Sequence, residues 1–83
     1  MLMEKIFIER LKKLRADKNM SQAYLAEVLD IPQSTYAGWE VGRGQPDIAM
    51  LRRLAKFYEA PVDYLIGITS TMYYPEEALV KDN

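Results

Sequence analysis

Neither cysteine nor histidine occurs anywhere in this chain of 83 residues. The first absence excludes disulfides and thiolate chemistry, and the two together remove the usual zinc ligands. Zinc fingers, cysteine proteases, Ser-His-Asp hydrolases and redox modules are thereby excluded. Long apolar runs are lacking too. Ala23-Tyr24-Leu25-Ala26 and Ile48-Ala49-Met50-Leu51 reach only four residues, and Tyr64-Leu65-Ile66 resumes at Ile68 after Gly67, against the roughly 18 residues that a membrane-spanning helix needs. Glu4, Lys5, Glu9 and Arg10 break up the N-terminal stretch, so it does not read as a signal peptide, and a cytoplasmic protein is the expectation. The only glycine-rich run, Gly42-Arg43-Gly44, is too short to cradle a phosphate and lacks the strand-to-helix context of such loops. No enzyme, metal site, cofactor or membrane association is expected from these residues.

A chain of this length makes one domain with a modest core. At 49% hydrophobic and 28% charged, it has enough apolar surface to fold instead of staying disordered. The net charge of −1 argues mildly against a nucleic-acid partner, but the charges are segregated. Residues 1–18 carry six bases and three acids. Arg43 is the sole base from residue 19 to residue 51, and Arg52, Arg53 and Lys56 form a second basic island. Taken alone, such islands read as solvated helix faces.

Apolar spacing predicts helices nearly throughout. Phe7, Leu11 and Leu14 follow the i, i+4, i+7 pattern of one helix face from about Glu4 to Asp17. Ser21 is a good N-cap for a second helix with Leu25, Ala26 and Leu29 inward, although Tyr24 stands where a capping box needs Glu or Gln. Asp30-Ile31-Pro32 interrupts, because proline disfavours helical geometry in the residue before it. A third helix then runs from Pro32 or Gln33 to about Glu40, with Tyr36 and Trp39 on one side. After the loop Val41–Pro46, Asp47 caps a fourth helix with Leu51, Leu54, Ala55 and Tyr58 inward. Ala60-Pro61 ends it, and a short fifth helix from Val62 stops at Gly67. Beyond Gly67 the segment from Ile68 to Tyr74 favours extended structure, and Glu76 to Lys81 follows Pro75 as a short helical stretch.

Two short helices joined by about three residues have the spacing of a helix-turn-helix, whose second helix enters the DNA major groove. The residues add to the spacing. Arg10-Leu11-Lys12-Lys13-Leu14-Arg15, Ser21-Gln22, Leu25-Ala26, Ser34-Thr35-Tyr36, Trp39-Glu40, Gly42, Pro46, Leu51, Leu54-Ala55 and Asp63-Tyr64-Leu65-Ile66-Gly67 occur in order. This string closely resembles the Cro/C1-type helix-turn-helix family of phage repressors and their bacterial relatives (the XRE family). The resemblance implies an all-α, five-helix lambda-repressor-like DNA-binding domain over residues 1–67, with a C-terminal extension over 68–83. It implies sequence-specific double-stranded DNA binding as a dimer on a palindromic operator, and transcriptional regulation, with repression the expected outcome.

Carried over by position, the resemblance puts the DNA-binding residues at Gln22, Gln33, Ser34, Thr35, Ala37, Gly38 and Arg43. Gln33 alone reads as an exposed glutamine at a helix start; within the resemblance its amide pairs with adenine N6 and N7. Ser34 reaches a base or phosphate, or bonds its own first turn. Ala37 offers a methyl to thymine. Gly38, where relatives often carry a longer side chain, either lets the backbone approach DNA or contacts nothing. Gln22 matches a position that bonds the DNA backbone at a helix N-terminus. Arg43 is the candidate backbone or minor-groove contact. Arg15 and Glu40 match the family's structural ion pair, and core packing is the reading for Trp39 and Tyr36, with the Tyr36 hydroxyl free to reach a phosphate.

Dimer contacts are expected from Tyr58, Val62 and Ile66 and from the apolar residues Ile68, Met72, Tyr73, Tyr74, Leu79 and Val80. The tail's other reading is folding back on its own domain against Ile6 and Ile8. A second function also stays open. Net acidity, Gly38 and the apolar pair Tyr24 and Val28 on the second helix fit a protein-interaction module, such as an antitoxin or an anti-repressor-like adaptor.

Overall fold

The computed structural model describes residues 2–70. Five helices and no strand occur among them: α1 (Leu2–Asp17), α2 (Gln22–Leu29), α3 (Gln33–Glu40), α4 (Ile48–Tyr58) and α5 (Val62–Leu65). The dimer contacts expected from Met72, Tyr73, Tyr74, Leu79 and Val80 lie outside the described residues.

Each helix is set by local chemistry before it packs. Ser21 sits extended and its Oγ accepts the Tyr24 N–H at 3.0 Å, and Asp47 does the same for Met50 at 2.9 Å. The turn between α2 and α3 closes through Asp30 in the left-handed region (φ 58°), with the Ile31 N–H returning to the Ala26 carbonyl at 3.0 Å. Glu59 ends α4 in the same conformation, φ 53°. Pro32 and Pro61, extended, open α3 and α5.

One core takes the apolar face of every helix. Phe7, Leu11 and Leu14 of α1 meet Leu25 and Leu29 of α2, Tyr36 and Trp39 of α3, Leu54 and Tyr58 of α4, and Leu65 of α5. Tyr36 and Trp39 meet edge to face, ring centroids 5.7 Å apart. Leu51, expected inward, is only half-buried beside this core.

Three arginines of the basic islands, Arg10, Arg15 and Arg53, fasten one element to another, while the lysines stay exposed. Arg10 donates to the carbonyls of Tyr64 and Thr69 (2.7 Å to Thr69) and lies 4.2 Å above the Tyr64 ring. It thereby caps the end of α5 with a cation. Arg53 donates to the Leu29 carbonyl at 2.8 Å and so caps α2. Lys13 pairs with Asp17 on the exposed face of α1. Gly67 has φ +88°, and a Cβ there would lie 3.0 Å from Ile6 Cγ2, so the chain leaves α5 pressed against α1. Ile6 lies against Gly67 and is half-buried, as is Ile8. Ile8 lines a groove of about 400 Å³ with Phe7, Trp39, Pro46, Leu51 and Ile66.

Candidate nucleic-acid interface

The helix α3 has two unlike faces. Tyr36, Trp39 and Glu40 are buried, while Gln33, Ser34 and Thr35 are exposed and Ala37 is half-buried. The row Gln33, Ser34, Ala37 therefore stands outward on a helix whose back is locked into the core. Pro32 supplies no side-chain cap to α3, so the cap residue leaves the first backbone N–H groups of the helix without a side-chain acceptor.

Gly38 is buried, which its place on the outer row does not suggest. Its carbonyl accepts the N–H groups of Val41 (3.3 Å) and Arg43 (2.9 Å), folding the loop back onto the helix. A Cβ at Gly38 would meet only Arg43 Cβ, at 3.8 Å. The structure thus brings Gly38 and Arg43 together at the C-terminal end of α3. Arg43 is exposed, and its guanidinium makes no hydrogen bond or ion pair among the described residues. Glu27, Asp30 and Asp47 are exposed as well, Asp47 being spent on its helix cap.

Behind α3 lies a polar cluster centred on Glu40, which is only 4% exposed. Arg15 reaches it from α1 in a two-pronged pair, Nε to Oε2 at 2.7 Å and Nη2 to Oε1 at 2.9 Å. The same guanidinium donates to the Met20 carbonyl at 2.9 Å, fixing the turn before α2. Tyr36 donates its hydroxyl to Glu40 Oε2 at 2.5 Å, and Gln22 donates Nε2 to Oε1 at 2.9 Å. The Tyr36 hydroxyl is therefore used inside the protein and does not reach a phosphate. Burial alone would raise the Glu40 pKa, but the bonds from Arg15, Tyr36 and Gln22 outweigh it and hold the carboxylate below its ordinary value. Burial and the Glu40 charge push the Tyr36 hydroxyl well up.

Of the site residues expected from sequence, Gln33, Ser34, Thr35 and Ala37 share α3 and Arg43 stands beside its end. Gln22 instead begins α2, joined to the buried cluster. Its contact with Glu40 was not legible in the sequence. The Tyr36–Glu40 bond had a signal in its i, i+4 spacing on one helix.

A helix-turn-helix family model matches residues 11–65. The chain is 42% identical over 60 residues to the HTH-type transcriptional regulator AnsR of Bacillus subtilis, covering 72% of this chain and 52% of AnsR. It is 37% identical over 61 residues to the HTH-type transcriptional activator BcrR of Enterococcus faecalis, covering 74% of this chain and 30% of BcrR. This chain thus spans about a third to a half of these relatives' length. A transcriptional regulator from Listeria innocua superposes with a TM-score of 0.72 at 28% identity, over 90% of this chain and 69% of that one. Fold, family profile and relatives agree: the chain belongs to the Cro/C1-type helix-turn-helix family of DNA-binding transcriptional regulators.

Proposed function

We propose that the protein binds a palindromic operator as a homodimer in the cytoplasm and represses transcription by occupying it. The observation that carries this reading is the exposed row Gln33, Ser34, Thr35 and Ala37 on a helix anchored by Tyr36, Trp39 and Glu40. Gln33 pairs with adenine in the major groove, Ser34 and Thr35 contact bases or phosphates, and Ala37 meets a thymine methyl. With one long polar reader, DNA shape shares the specificity. Arg43 neutralises a phosphate from beside the end of α3, where the Gly38 carbonyl accepts its backbone N–H. Gln22 holds the backbone where α2 crosses it. Repression by occupancy requires only that the dimer hold its operator, whereas activation requires a further contact with the transcription machinery.

One eight-residue helix covers only a few base pairs, so useful specificity calls for two copies on half-sites about 34 Å apart. Val62 and Ile66 are half-exposed and Ile68 is 65% exposed, which suits a contact between copies. Tyr58 is a core residue and supplies no such surface.

Gel shifts on genomic fragments at low salt test the reading. Retarded bands are expected, and Arg43→Ala should weaken every sequence alike and lower the salt slope by about one. Deleting residues 71–83 keeps the Thr69 carbonyl that Arg10 holds. Sedimentation should show that truncated chain dissociating more readily, and an unchanged dimer would refute the tail's part in it.

A second reading has its own observation. Tyr24 is 50% exposed on α2, one turn from half-buried Val28. That pair fits an adaptor or antitoxin meeting a protein partner, and absence of any gel shift at low salt would favour it.

A further inference from the structure

Glu40 is the joint at which three helices meet: Arg15 from α1, Gln22 from α2, and Tyr36 from its own helix α3 all donate to it. Two of these donors, Arg15 and Tyr36, have an obvious structural use. The third is different, because Gln22 is the first residue of α2 and is half-exposed. A carboxamide is planar, so a bond from Nε2 to Glu40 Oε1 at 2.9 Å fixes the directions of its other N–H and its oxygen. The reversed amide would set its oxygen against the carboxylate, two acceptors facing each other, so Glu40 also dictates which way round the group sits.

We propose that Glu40 is a positioning residue for DNA binding: it holds one N–H of Gln22 and thereby aims the other at the DNA backbone. The inference rests on Gln22 being a backbone contact, as read above. The first backbone N–H groups of α2 have no partner within the helix, and the Ser21 cap takes only that of Tyr24. A phosphate oxygen there would accept the second Gln22 N–H together with a backbone N–H. The Arg15 guanidinium neutralises Glu40 from the other side, so the buried carboxylate can orient Gln22 without repelling the phosphate. The ion pair thus links the frame of the domain to its grip on DNA.

A double-mutant cycle separates this role from a purely structural one. The probe is a duplex selected from random DNA with the wild-type protein. Affinities are measured for wild type, Gln22→Ala, Glu40→Gln and the double variant, below every melting midpoint and with folding checked by circular dichroism. Glu40→Gln keeps an oxygen for Gln22 but removes its charge, and should weaken binding about fivefold in the wild-type background, the difference between a charged and a neutral acceptor. In the Gln22→Ala background it should weaken binding hardly at all. The same factor in both backgrounds would overturn the proposal. Tyr36→Phe removes a bond to the other carboxylate oxygen and should lower the melting midpoint while leaving affinity unchanged.

An independent measurement needs no Glu40 variant. In spectra of protein labelled with 15N-glutamine, adding the duplex should shift one Gln22 side-chain amide proton strongly while its partner stays put. Neither proton shifting would overturn the proposal and leave DNA binding itself intact. Failure of the wild-type protein to select any duplex would overturn the functional reading beneath it.

Discussion

Replacing Glu40 by alanine leaves three donors without their acceptor. Arg15 loses both prongs of its pair, Tyr36 its only acceptor within a fully buried site, and Gln22 its anchor. Breaking a buried ion pair by removing one partner costs about 3–5 kcal/mol. The Arg15 side chain is 22% exposed, so water takes over part of its solvation and the lower end of that range applies. The stranded Tyr36 hydroxyl adds a further cost of about 1–3 kcal/mol, in part shared with the first. A loss of about 3 kcal/mol is therefore the minimum expected, against a total stability of roughly 4–12 kcal/mol for a chain of this length. The melting midpoint of Glu40→Ala should fall by roughly 12–24 °C, read by far-ultraviolet circular dichroism and checked by urea titration. Replacing Arg15 and Glu40 together with Met and Leu should cost much less than the two single changes added, because no charge is then left unpaired. A midpoint within about 3 °C of the parent for Glu40→Ala would refute the reasoning.

Gly38 lies in a helix with ordinary φ and an added Cβ meets only Arg43 Cβ at 3.8 Å. Gly38→Ala should therefore stabilise the domain by about 0.5–1 kcal/mol in a thermal melt, and destabilisation would contradict the space described there. Burial pushes the Tyr58 hydroxyl up to about 12 from its ordinary 10. Its contribution to stability is thus complete below pH 10 and is lost as pH rises toward 12, because the unfolded chain gives up the proton first. Glu40 has the opposite sign: its lowered value makes its contribution complete above the ordinary 4.5 and lost as pH falls through the folded value. With no histidine in the chain, the midpoint should be flat from about pH 6 to 9, and a fall inside that window would contradict both assignments. Tyr58 also has a buried hydroxyl without a hydrogen-bond partner among the described residues. Tyr58→Phe should raise the midpoint slightly and flatten the alkaline fall, and a loss above about 1 kcal/mol would show that the hydroxyl is bonded.

The helices were legible because local chemistry decides them. The spacing of Phe7, Leu11 and Leu14, the caps at Ser21 and Asp47, and the breaks at Pro32 and Pro61 all act within one or two turns. The outward row of α3 was legible for the same reason, since Tyr36 and Trp39 define its buried side. Charge counting could not reveal what the arginines do. Arg10 and Arg53 bend toward carbonyls of residues 54 and 24 positions away, contacts that exist only once the helices have packed. The Arg15–Glu40 pair, 25 residues apart, was legible only through the family resemblance. Gln22 was placed at its helix start by pattern, but its bond to Glu40 depends on the angle at which α2 meets α3. The left-handed Asp30 escaped because that conformation is imposed by closing the turn and is uncommon for residues other than glycine.

The central claim, that α3 reads DNA sequence through its exposed row, is tested most directly by selecting duplexes from random DNA with wild type and Gln33→Ala at one fixed salt concentration. The wild-type protein should select a two-fold symmetric motif whose half-sites lie about 34 Å apart, with adenine favoured at one position in each. Gln33→Ala should bind that motif about 1–3 kcal/mol more weakly and lose preference at one or two base pairs per half-site. An unchanged motif and affinity for Gln33→Ala would contradict the assignment of α3 as the reading helix.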